Sequence, residues 1–149
     1  MTRSPLTSRE LADLVTTALV QAVDGHADSA AETMIEIGTR SNAQHSEVYG
    51  ACCAFAEAAR QSLVKIYGDR APDLSKGQQW VMGQLPGLGR ADAADLFALR
   101  FIVAYSNDDK PTTWALWRAA LGASDDEYVS SVGALLATAA SLVNAGRKA

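Results

Sequence analysis

The chain says nearly the same thing twice. Ala12-Asp13-Leu14 opens an apolar helical run that closes near Asp24-Gly25, and a helix of small residues carrying Met34, Ile35 and Ile37 follows. Ala94-Asp95-Leu96 opens a second such run, closing near Asn107-Asp108, and a helix carrying Leu116, Trp117 and Ala119 follows that. A third helical pattern completes each copy, led by Val48-Tyr49 in one and by Tyr128-Val129 in the other. An internal repeat of this kind points to a helical unit used twice, each copy burying the apolar face of the other. The expected architecture is all-α. It is a single domain of helical hairpins in which residues 7–68 and 93–146 form two similar three-helix units, joined by a Pro/Gly-rich connector over 69–92.

Local signals place the helix ends. Thr7-Ser8-Arg9-Glu10 is a capping box, a hydroxyl followed three residues later by Glu. Behind it, Leu11, Leu14, Val15, Ala18, Leu19, Ala22 and Val23 share one helical stripe. Gly25 ends that helix, and Asp28 or Ser29 is expected to cap the next. The polar stretch from Arg40 to His45 reads as a loop, and a long helix follows from Ser46 to Tyr67, stopped by Gly68. Pro72, Pro86 and the glycines at 77, 83, 87 and 89 break up the connector, leaving one short helix expected around Lys76 to Leu85. Asp92 caps a helix over Ala93–Ser106 that is apolar on most faces, the pattern of a buried centre. Pro111 suits the first turn of the helix ended by Gly122, and Ser124 to Glu127 is a second capping box. Ala and Gly on apolar faces, Ala51, Ala54, Gly133 and Ala137 among them, predict close helix–helix approach.

Composition narrows the function classes. At 149 residues the chain can bury roughly 70% of its extended surface, enough for one real core. Its 13 basic and 17 acidic residues give a net charge of −4 with no Lys/Arg cluster, which argues against nucleic acid. The longest apolar run, Leu96 to Tyr105, is interrupted by Arg100 and falls short of the roughly 20 residues of a membrane span. Met1 to Glu10 is polar and no apolar stretch follows it, so no secretory leader is expected. Cys52 and Cys53 are adjacent, and neighbours on a helix point about 100° apart, which serves neither a disulfide nor a metal pair. A reducing cytoplasm is the expected home.

Gly25-His26-Ala27-Asp28-Ser29-Ala30, followed by Met34 and Ile37, resembles the second half of a tetratricopeptide-type repeat. Asp108-Asp109-Lys110-Pro111-Thr112-Thr113, then Trp117 and Ala120-Leu121, is similar to the same half. The first-helix signature of that family is absent, with Phe101 standing where its Gly would fall. The resemblance implies helical-hairpin packing, and no binding residues carry over from it.

No reactive constellation emerges from the residues. His26 and His45 sit in loops near helix starts, where they read as solvated, and no Glu-x-x-His occurs to hold a di-iron centre. Cys52 reads as small apolar filler. Asp108-Asp109 and Asp125-Asp126-Glu127 read as helix-start acids satisfied by the macrodipole. No catalytic residue, metal site or cofactor is expected. The binding candidates are four. Trp80 and Met82 form an apolar patch in the connector, whose alternative is a lid on the core. Arg100 has little polar company on its helix and is either an anion anchor or a snorkelling charge. Trp114 shares a face with Trp117. The leading expectation is a non-catalytic, cytoplasmic helical adaptor or regulatory protein that binds a protein or peptide, with a homodimer compatible with it. The alternative is a small-molecule-binding protein or cofactor-free enzyme with its pocket between the two units. A second alternative is an acidic inhibitor or immunity-type protein that masks a basic partner.

Overall fold

The structure of the chain, a computed structural model, describes residues 5–42 and 44–149. It is all-helical, with six α-helices and no strand among the described residues: α1 Ser8–Val23, α2 Ala27–Arg40, α3 Ser46–Tyr67, α4 Ala93–Ser106, α5 Lys110–Leu121 and α6 Asp125–Arg147. The ends follow the local chemistry. Thr7 and Glu10 close a reciprocal capping box on α1, and Asp92 and Asp95 close one on α4. Asp109 caps α5 through the Thr112 N–H, and Ser124 caps α6 through the Glu127 N–H, half of the box expected there. The start of α2 departs from expectation. It begins at Ala27 with His26 in the capping position and no side-chain cap, so Asp28 sits in the first turn and answers the helix dipole instead.

The long helices α3 and α6 lie along each other at the centre, with α4 packed on both. α1 covers α6 and α3 from the other side and carries α2 on its back, while α5 rests on α4 and α6. The apolar pattern of α4 is used as expected: Phe97, Ala98, Leu99, Phe101, Ile102 and Ala104 are all buried. The close approach of α3 and α6 depends on Gly146, where a Cβ would meet Ser62 at 3.2 Å. Gly133, by contrast, faces open space. One helix among the described residues, α6, is long and apolar enough to cross a bilayer by length and composition, a property that a search for uninterrupted apolar runs overlooks. Within the fold, 39% of that apolar stretch is buried, Val132, Leu135, Leu136, Ala139 and Leu142 among it.

The connector holds no α-helix. The stretch expected to be helical over Lys76 to Leu85 is instead a 3₁₀ turn at Leu74–Lys76, an extended segment, and a second turn at Met82–Gln84. Its hydrogen-bonding groups are engaged elsewhere. Gly77 closes the first turn at φ +79°, and the Gln78 side chain accepts from the Asp73 N–H at 2.9 Å. Asn107 then brackets Trp80, accepting from its N–H at 2.7 Å and donating to its carbonyl at 3.0 Å. Each of these replaces a bond that a helix would need.

Candidate functional site

Two concavities among the described residues differ in chemistry. The first is polar. Glu57 and Arg60 of α3, Tyr105 and Ser106 of α4, and Asp108 to Lys110 at the start of α5 enclose about 460 Å³. Arg60 grips Glu57 with both Nε and NH2, at 2.8 and 2.7 Å, and Gln61 and Tyr105 donate to the same carboxylate. These donors, Arg60 foremost, pull the Glu57 carboxyl down to about 2. A carboxylate held that low and already saturated with donors is a poor general base near neutrality.

The pairing has a measurable consequence in acid. The folded-state value lies below the ordinary 4.5, so the stabilisation is complete above 4.5 and is lost as pH falls towards 2. Both side chains are about one-third exposed, which limits the pair to roughly 1 kcal/mol or less. Urea melts of Glu57→Gln should therefore fall below the parent at pH 7 and converge with it near pH 2. Parallel curves over that window would show that the pair contributes nothing.

The second concavity is apolar. It runs between α2 and α6 with Ala22 of α1 and Val48 of α3 at its floor, and encloses about 490 Å³. Ala27, Ala30, Ala31, Met34 and Gly38 form one wall, and Val132, Gly133, Leu136 and Ala137 the other. Ile35 and Val129 stand on opposite rims, 66% and 67% exposed. Both wall glycines are in helix interiors, and a Cβ at either would meet nothing within 4 Å. Glycine there costs roughly 0.5–1 kcal/mol relative to alanine and secures no close helix contact in return.

His45 and Tyr128 also line this groove, their rings edge-to-face at 6.1 Å. His45 precedes α3 in a left-handed conformation, φ +55°, and makes no capping bond with its side chain. Its Nδ1 and the Tyr128 hydroxyl are both buried and have no hydrogen-bond partner within the described residues. Loss of solvent pushes the Tyr128 phenol up to about 12, while the Trp117 indole beside it works in the opposite direction without forming an aligned hydrogen bond. Tyr128 thus stays a neutral hydroxyl. His45 lies in the loop expected of it but is half-buried, with its Nδ1 shielded from solvent rather than solvated. The groove's sequence trace is the pair of interior helix glycines, Gly38 and Gly133, which resemble packing glycines until the fold is known.

None of the four sequence candidates lines either concavity. Trp80 is 4% exposed with its ring edge-on to Tyr67 at 5.6 Å, the lid alternative rather than a surface anchor. Met82 is half-buried against the core. Arg100 points into solvent, with no ion pair among the described residues. Trp114 is 43% exposed and packs on Tyr49 and Trp117 at 5.0 and 5.2 Å, with the Arg118 guanidinium over its ring. The cysteines are free. Cys52 is wholly buried, and burial pushes both thiols up, away from the reactive thiolate. No cluster of three or more metal-ligating side chains exists among the described residues. No family model, curated protein or solved structure matches the chain, so its functional reading rests on these residues alone.

Proposed function

We propose that this chain is a non-catalytic binding protein whose ligand is a small apolar molecule held in the groove between α2 and α6. One observation carries the reading: two helix-interior glycines, Gly38 and Gly133, line the groove where an added Cβ would meet nothing within 4 Å. Its volume falls within the roughly 300–1,000 Å³ of ligand pockets, and its lining is mostly apolar, as theirs is. The proposal includes the duplication read from the sequence. If α1–α3 and α4–α6 are copies of one unit, the position facing α3 from α5 corresponds to this groove. There Tyr49, Trp114 and Trp117 fill the space with three packed rings. One surface has been closed and the other left empty.

The test is a titration with the apolar fluorophore Nile red against the parent and Gly133→Leu. Leucine at that position projects into the groove and leaves the core alone, so melting should be unchanged or slightly raised. Saturable one-to-one binding to the parent, weakened at least about 10-fold by the substitution, is expected; a factor of that size is about 1.4 kcal/mol. Binding that never saturates, or that Gly133→Leu leaves intact, would overturn the proposal. A second reading, capture of an apolar helix from a protein partner, is favoured by the exposure of Ile35 and Val129. Ile35→Asp with Val129→Asp separates the two, because rim charges spoil a helix interface while sparing a molecule seated between the walls.

A further inference from the structure

We infer that the rims of the α2–α6 groove are a docking surface for a basic amphipathic helix of a partner protein. This goes beyond the small-molecule reading and does not depend on it, since Ile35 and Val129 stay on the outer rims whatever lies between the walls. The charge of the molecule is concentrated on the two helices that form those rims. Asp28, Glu32 and Glu36 of α2 and Asp125, Asp126 and Glu127 of α6 are opposed on the same helices only by Arg40 and Arg147. That leaves α2 and α6 together at −4, the net charge of the whole chain, so the rest of the chain is neutral in sum. Arg40 is turned towards Glu10, at 2.7 Å, and Arg147 stands in the last turn of α6.

Helical spacing puts four of these acids beside the groove, outside its lining. Asp28 and Glu32 precede Ile35 by two turns and one turn, and so share its outer stripe on α2. Asp125 and Asp126 precede Val129 by one turn and extend its stripe to the start of α6. All four are exposed, with no ion pair among the described residues. The two helices run antiparallel across the groove. Asn144 of α6 donates to the Val23 carbonyl just before α2, while the His45 ring beyond α2 lies against Tyr128 in the first turns of α6. Each pair of acids therefore marks one end of the trough, whose α2 wall, Ala27 to Thr39, spans about 18 Å. A molecule seated between the walls does not reach these carboxylates. A helix laid along the rims, about 10–12 Å across, does. It buries Ile35 and Val129 under its apolar face and brings flanking Lys or Arg side chains to the acids at both ends. The same acids repel an anionic lipid surface or a nucleic acid, so charge complementarity selects a basic partner among macromolecules.

The experiment measures fluorescence anisotropy of a labelled amphipathic peptide of about 18 residues, Leu on one helical face and Lys on the other, beside its Leu/Glu counterpart. The Leu/Lys peptide should bind one-to-one, and the Leu/Glu peptide at least about 10-fold more weakly. Raising salt from about 0.05 M to about 0.5 M should weaken the Leu/Lys complex several-fold, because the screening length contracts to a few ångströms. Glu32→Lys with Asp126→Lys should lower its affinity at least about 10-fold. Asp13→Lys with Asp69→Lys makes the same charge change at exposed positions on α1 and in the connector, and should lower it less than about 3-fold. Ile35→Ser with Val129→Ser should also weaken it about 10-fold, a loss that charge alone does not produce. All these positions are exposed, so each variant should melt close to the parent. No binding of the Leu/Lys peptide, equal losses from the two charge pairs, an unmoved affinity in the serine variant, or equally tight binding of the Leu/Glu peptide would overturn the docking surface. Nile red reads the space between the walls separately, and its failure to bind the parent would remove the small-molecule reading while leaving this one standing.

Discussion

Phe101→Ala is expected to destabilise the fold by about 3–5 kcal/mol, the range for emptying a fully enclosed phenylalanine site. Phe101 is wholly inaccessible and sits where α4 meets the central helices. Its ring lies 5.7 Å from that of Phe97 and edge-on to Tyr49 at 6.3 Å, so the substitution removes two ring contacts as well as a large side chain. The cavity cannot close easily, because the surrounding atoms belong to helices fixed on several sides. Urea denaturation of parent and variant gives the difference directly, provided that the slope with denaturant stays the same. A loss below about 1 kcal/mol would show that α4 is peripheral to the cooperative core. Tyr49 gives the effect a second reading. It reaches from Phe101 to Trp114 and Trp117 and donates to or accepts from Thr113 at 2.9 Å, so the Phe101 cavity should also loosen α5, visible as faster amide exchange there.

What the sequence could reveal divides along a physical line. Helix ends depend on residues a few positions apart, and the caps at Thr7, Asp92 and Ser124 and the stops at Gly25, Gly68 and Gly122 mark ends of α1, α3, α4, α5 and α6 to within a residue or two, whereas α2 begins earlier than a cap at Asp28 or Ser29 would place it and the helix expected over Lys76 to Leu85 does not form. The buried face of α4 was equally legible, because a helix apolar all round has no other place to be. The groove was not. Its walls come from α2 and α6, separated by most of the chain, and nothing local shows that Gly38 and Gly133 face one space. Nor does the sequence distinguish these from Gly146, a packing glycine pressed on Ser62. His45 is a similar case: its loop position suggests solvent, and tertiary packing, with the Tyr128 ring 6.1 Å away, leaves its Nδ1 shielded. The fold class needs local periodicity alone, whereas the site needs the tertiary arrangement.

Trp80→Ala should prove comparably costly, about 3–5 kcal/mol, although Trp80 lies in a segment with no α-helix. A Trp in a Pro/Gly-rich connector has two physical uses. As a recognition residue it would be exposed, and its loss would weaken association while leaving the melting transition unchanged. As a lid it would be buried, and its loss would open a cavity. The geometry supports the lid. The ring is 4% exposed and packs edge-on against Tyr67 at the end of α3. The backbone on both sides is tied to Asn107, the residue that ends α4. Tyr67 in turn donates to the Gln84 carbonyl, and Leu85 is buried beside the same core. The connector is therefore fastened at three successive points, and Trp80 is its largest apolar contribution. Removing the side chain should lower the urea midpoint sharply and release the Trp80 N–H to exchange with solvent. Asn107→Ala should show a smaller loss through the same contact, about 1 kcal/mol for each of its two hydrogen bonds. A Trp80→Ala protein that melts like the parent would mean that the connector folds over the core without stabilising it, and the recognition role would return to Trp80 and Met82.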